Sequence, residues 1–267
     1  MTTGREQKVA YADLAGTRLH YHTDGKRERP CIVLSNSLGT DLGMWDEQAV
    51  ALASDFFVVR YDTRGHGQSI GSSAAFGIDQ LGRDVVALLD HLDIPRAAFC
   101  GISMGGLTGQ WLGIHQPHRI ARLVLANTAA RIGSAEAWTA RAAQVRQDGM
   151  AGVADGAAAR WFTPGFIERQ PATVARMVGT LRSQDARGYA ACCDALAQAD
   201  LRPKVNAIAA QTLIIAGAQD SVTTVADGAW LQRQIAGARL VSVPASHLSN
   251  IETATEFTGA VREFMLG

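Results

Sequence analysis

The chain has 267 residues, with 25 basic and 25 acidic side chains and 47% apolar residues. Balanced charge argues against a polyanion binder, which needs a basic surface to displace counterions. The apolar content argues against a disordered chain, and no apolar run nears the ~18 residues of a membrane span.

At the N-terminus, Met1–Lys8 is polar and lacks the apolar stretch of a secretory signal. Val9–Tyr11 and Arg18–His22 flank Ala15-Gly16 and predict a hairpin. Short apolar runs follow at Cys31–Ser35, Phe56–Tyr61, Ala97–Cys100, Leu123–Ala126, Thr212–Ala216 and Leu240–Val243. They do not alternate, which fits strands buried on both faces of a parallel sheet. Over Asp79–Asp93, Leu81, Val85, Leu88, Leu89 and Leu92 form one helical stripe. Alternating strands and helices predict an α/β fold with a mostly parallel central sheet and helices on both faces.

Between Ala126 and Thr212 the chain runs far beyond the dozen or so residues that a crossover needs. That stretch contains helical patterns at Glu136–Gln147 and Pro171–Leu181, and a structureless loop of such length is unfavourable. The expected organisation is a core in two parts, 1–127 and 204–267, with a helical cap at 128–203. Cys31, Cys100, Cys192 and Cys193 have no metal-ligand spacing; the first two lie in apolar runs and read as buried thiols, and the set fits a reduced, cytoplasmic protein.

Gly101-Ile102-Ser103-Met104-Gly105 matches G-x-S-x-G, the sharp strand-to-helix turn that exposes a nucleophilic serine. Gly67-Gln68-Ser69-Ile70-Gly71 matches too, so context must decide. Ser103 follows the run Ala97–Cys100 and precedes a helical pattern. Ser69 sits in a glycine-rich loop. On the helix after Ser103, Gly105, Gly109 and Gly113 share one face and predict close packing on the sheet.

A serine hydroxyl needs an oriented base, and in this kind of fold the chain order is Ser, acid, His. His20, His22, His66 and His91 precede Ser103, and His115 and His118 follow it on the same predicted helix. That leaves His247, in the loop after Leu240–Val243. Asp220 ends the run Thr212–Ala216 at a turn and is the candidate acid. The other carboxylates between them, such as Asp148, Asp155 and Asp185, read as solvated helix faces. Backbone N–H groups of Met104 and of Leu38, after Cys31–Ser35, are the candidate oxyanion donors.

These residues give the chain a resemblance to the serine α/β-hydrolase family. Tyr61–Ser69 is similar to that family's loop after the fourth strand. The resemblance is closer to the 3-oxoadipate enol-lactonases of aromatic catabolism, the β-ketoadipate pathway. Leu34–Asp41, Leu125–Gly133, Arg160–Pro164, Gly188–Cys193 and Ala245–Asn250 carry it. It implies hydrolysis of a small anionic lactone by Ser103, His247 and Asp220, without cofactor or metal, nucleic-acid partner or membrane. The substrate carboxylate then calls for a cation. Arg131, just past the run ending at Ala126, is the candidate, with Trp138 and Trp161 as pocket walls. Alternatives on the same fold are a broader carboxylesterase or perhydrolase, or a carbon–carbon bond hydrolase. The complete Ser, Asp, His order argues against a non-catalytic binding protein.

Overall fold

The computed structural model describes residues 10–71 and 75–267. The polar Met1–Lys8 segment and Val9 lie outside that range. Strands β1 (Ala10–Leu14) and β2 (Thr17–Asp24) form the expected hairpin around Ala15-Gly16. They lead an eight-stranded sheet in the order β1-β2-β4-β3-β5-β6-β7-β8. The remaining strands are β3 (Cys31–Ser35), β4 (Phe57–Tyr61), β5 (Ala97–Ile102), β6 (Ile120–Ala126), β7 (Gln211–Gly217) and β8 (Arg239–Val243). Beyond the two antiparallel pairings of β2, every pairing is parallel.

Three of the predicted runs fill the buried centre: every residue of β3, β4 and β5 is buried. The last run departs from the expectation. Strand β8 is the sheet edge, and of its five residues only Val243 is buried. The run there pairs with β7 along one edge and has no strand along the other.

The core helices are α1 (Asp46–Leu52), α2 (Ile78–His91), α3 (Met104–His115), and, after the insertion, α10 (Val225–Gln234), α11 (Ser249–Glu252) and α12 (Ala254–Leu266). Helix α3 lies against β5 and β6, and α2 packs on α3. The glycine stripe explains how closely α3 lies. A Cβ on Gly109 would come within 2.9 Å of the Phe99 ring, and one on Gly113 within 3.2 Å of Ile208. Helices α1 and α12 pack on each other, and α12 reaches β7 and β8.

Between β6 and β7 come α4 (Ala135–Asp148), α5 (Ala151–Asp155), α6 (Ala157–Trp161), α7 (Pro164–Arg169), α8 (Pro171–Arg182) and α9 (Ala186–Gln198). Helices α4 and α9 pack along one another. The insertion rests on the loop after β4, and that loop is stiff. Asp62 accepts from His20 Nδ1 at 2.7 Å, Leu42 N at 2.7 Å and Gln68 N at 2.8 Å. Arg64 forks onto buried Asp84 of α2. Gly65 of this loop meets Gly188 of α9 backbone to backbone: a Cβ on Gly188 would lie 2.1 Å from Gly65 O. Gly67 N donates to Gln184 Oε1 at 2.8 Å. No helix among the described residues is long and apolar enough to cross a membrane.

Candidate active site

Ser103 sits between β5 and α3 with φ 57° and ψ −114°. That conformation is strained for a residue with a Cβ and persists only where its surroundings hold it. Both glycines of the motif have a steric reason. A Cβ on Gly101 would lie 2.2 Å from Gly105 O, and one on Gly105 would lie 2.3 Å from Ser35 O. Ser103 N donates to Ala126 O at 3.1 Å, and Ser103 O accepts from Thr128 Oγ1 at 2.8 Å. The second G-x-S-x-G serine is tied up differently. Ser69 Oγ donates to Asp62 O at 2.7 Å and accepts from His20 N at 2.9 Å.

Asp220 lies in the turn after β7, its carboxylate enclosed. His247 Nδ1 approaches its Oδ2 at 2.8 Å, and the same oxygen accepts from Asn127 Nδ2 at 3.0 Å and Thr223 Oγ1 at 2.8 Å. Its Oδ1 accepts from Val222 N at 2.8 Å and Thr223 N at 3.1 Å. Burial pushes this carboxyl up, but the hydrogen bond and charge of His247, then Asn127 and Thr223, outweigh it and hold it down at about 2. It is therefore ionised at neutral pH. The histidine loop is braced on both sides. Ser246 N donates to Glu252 Oε2 at 2.9 Å, and Leu248 N donates to Trp161 O in the insertion at 3.1 Å.

The loop after β3 is anchored by Asn36. Its Nδ2 donates to Tyr61 O at 2.9 Å, its Oδ1 accepts from Trp45 Nε1 at 3.0 Å, and its carbonyl accepts Gly105 N at 3.1 Å. This fastens the Ser37-Leu38 turn to the first turn of α3, where Met104 directly follows Ser103.

A cavity of about 220 Å³ opens above these elements. From the core it is bordered by Ser37, Leu38, Ser103 and His247. From the insertion it is bordered by Trp138, Arg141, Arg160, Trp161 and Tyr189. Trp138 and Trp161, the candidate pocket walls, both border it.

Arg131 does not. It borders a separate surface cleft with Arg202 and Arg233, and its guanidinium stands 4.0 Å from Asp200. The backbone itself stays at the cavity, which Ile132 and Gly133 border, but the Arg131 side chain points to the other side, towards Asp200. The cations at the cavity are Arg141 and Arg160. Arg141 stacks on Trp138, with its guanidinium carbon 5.1 Å from the ring centroid. Arg160 donates to Val153 O at 2.6 Å. Burial, and then the nearby Arg141 charge, lower the Arg160 pKa. A signal existed in the sequence: Arg141 follows Trp138 by three residues on a helix, and Arg160 adjoins Trp161, so each cation neighbours a predicted pocket wall.

A family model described as alpha/beta hydrolase fold matches residues 30–254. The chain is similar to 3-oxoadipate enol-lactonase 2 of Acinetobacter baylyi, at 53% identity over 92% of each chain. It is 45% identical to 3-oxoadipate enol-lactonase 1 of that organism, over 91% of each. Among solved structures, the enol-lactonase of Burkholderia xenovorans superposes with a TM-score of 0.95 at 49% identity, covering 97% of this chain and 100% of that one.

Proposed function

The chain belongs to the alpha/beta-hydrolase family, and from that premise we propose that it hydrolyses 3-oxoadipate enol-lactone to 3-oxoadipate in the breakdown of aromatic compounds. The observation that carries this reading is a single cavity holding Ser103 and His247 on one side and two arginines on the other. A small lactone bearing one carboxylate suits that arrangement.

In this reading Ser103 Oγ attacks the lactone carbonyl carbon and His247 takes its proton. Asp220 holds Nδ1 and stabilises the imidazolium. The carbonyl π electrons move to oxygen, where the Leu38 and Met104 N–H groups receive the charge. As the tetrahedral adduct collapses, the ring C–O bond breaks. The departing enolate oxygen takes the proton from His247, and the enol becomes the ketone. Both ends of the opened ring stay on one acyl-enzyme. Water, deprotonated by His247, then attacks the acyl carbon, and Ser103 leaves with the proton as the second carboxylate forms.

Arg141 and Arg160 replace Arg131 as the partners of the substrate's carboxylate, and Trp138 and Trp161 wall the apolar ring. Residues 128–203 act as a cap, and 1–127 with 204–267 as the core that holds the nucleophile, acid and base. Four free, buried cysteines support a cytoplasmic setting. The test is a substrate panel. The purified protein should turn over the anionic enol-lactone with a kcat/KM at least about a hundredfold above that for neutral esters of similar size. Equal rates on both would replace this reading with that of a general esterase.

A further inference from the structure

We propose that Asn127 is a positioning residue for this reaction, holding the acid and the histidine loop in one frame with the nucleophile. The inference rests on the reading of Ser103, His247 and Asp220 given above.

Asn127 directly follows β6, and three consecutive residues there touch the nucleophile, the acid and the histidine loop. Ala126 O receives Ser103 N at 3.1 Å, and Thr128 Oγ1 donates to Ser103 O at 2.8 Å. Between them, the Asn127 side chain turns the other way. Its Nδ2 donates to Asp220 Oδ2 at 3.0 Å and to Ser246 O, next to His247, at 3.1 Å. Its Oδ1 accepts from Ser249 Oγ at 2.5 Å. Both amide protons are thereby used, on two acceptors that a carboxylate could not satisfy.

The backbone also carries a cost for this placement. Asn127 has φ 42°, in the left-handed region, while its N–H still donates to Ile215 O at 2.8 Å. Asparagine tolerates that region better than most residues, though not freely. The side chain does not border the cavity, so it acts through Asp220 and His247 and not on the substrate.

Two consequences follow from its contact with the oxygen that also faces His247 Nδ1. The Asn127 donor and His247 Nδ1 share Asp220 Oδ2, so the side chain helps set where the acid stands against the base. The bond to Ser246 O fixes where the histidine loop stands. The titratable groups at this point are Asp220 and His247, with Glu252 on the far side of Ser246.

The test is the rate at which a fluorophosphonate labels Ser103, followed from about pH 5 to pH 9, in the range where a histidine base titrates. It requires no lactone. Asn127→Gly removes the side chain and relieves the left-handed strain. Asn127→Asp keeps the shape and puts a second carboxyl in place of the donor. For Asn127→Gly, labelling should slow by on the order of tenfold to a hundredfold, as expected for loosened geometry. Its acid limb should move to higher pH, because Asp220 Oδ2 loses a competing donor; in Asn127→Asp two carboxyls share one site and one of them holds a proton, so its labelling should slow and its limb should also leave the wild-type position. Wild-type rate and limb in Asn127→Gly would overturn the proposal. So would a slower rate with an unmoved limb in both variants, or loss of cooperative unfolding in both, since each assigns Asn127 a structural part only. Failure of the wild type to label at Ser103 would overturn the reading of the site itself and this proposal with it.

Discussion

Arg141 and Arg160 border one cavity from two different helices, α4 and α6, and neither meets a carboxylate among the described residues. Half-buried like charges raise each other's cost, and the lowered pKa of Arg160 reflects burial first and Arg141 second. An anion entering the cavity removes that cost. Arg141→Ala and Arg160→Ala should therefore raise KM for the enol-lactone by about tenfold to a hundredfold, the loss of a charge-assisted hydrogen bond of about 1.5–3 kcal/mol. KM for a neutral ester should change by less than about threefold. Steady-state kinetics on both substrates check this, and equal changes would remove the arginines from substrate recognition.

Gly188 and Gly65 set how closely α9 sits on the loop after β4. Alanine ordinarily favours a helix interior over glycine by about 1 kcal/mol. At Gly188 the added Cβ would fall 2.1 Å from Gly65 O, a backbone atom that cannot swing aside. Overpacking of this kind costs about 1–3 kcal/mol, so the clash should win. Gly188→Ala should lower Tm by several degrees and weaken substrate binding, because Tyr189, the next residue, borders the cavity. Thermal unfolding of the two proteins decides it; a raised Tm would show that the contact yields.

His66 lies buried beneath α9, its ring 6.1 Å from that of Tyr189 and its Nε2 without a partner among the described residues. Burial lowers its pKa from 6.5 to about 4, against weaker upward pulls from the Arg64 carbonyl, Asp62 and Asp185. Between those values the unfolded chain binds a proton that the folded chain refuses. The neutral His66 site is thus fully compatible with folding above pH 6.5, and stability falls as the pH drops from 6.5 towards 4. The loss from this group is at most about 3 kcal/mol and levels off below its folded pKa. Urea unfolding of wild type and His66→Gln across that range checks it: the variant should show a shallower slope, and an identical slope would assign the effect elsewhere.

Much of this arrangement is legible in the residues. The non-alternating runs at β3, β4 and β5 mark strands covered on both faces. For Ser103 the decisive signal is its flanks, because Ser69 satisfies the same five-residue pattern. The order Ser103, Asp220, His247 follows from elimination along the chain. What escapes is what depends on packing between distant segments. Arg131 is nearest in sequence to a strand end, but its side chain points towards Asp200. Arg141 and Arg160 reach the cavity only because α4 and α6 pack as they do. The exposure of β8 depends on its being the last strand, which its composition does not reveal. Asn127 looks like any polar residue after a strand until its left-handed backbone and its bond to Asp220 are seen.

The central claim is that Ser103 opens the enol-lactone ring. Its most direct test follows the loss of the enol-lactone chromophore with purified wild type and Ser103→Ala side by side. The wild type should consume the lactone, and Ser103→Ala should be slower by several orders of magnitude, on the order of 10⁴-fold or more. Wild-type turnover by Ser103→Ala would contradict the account.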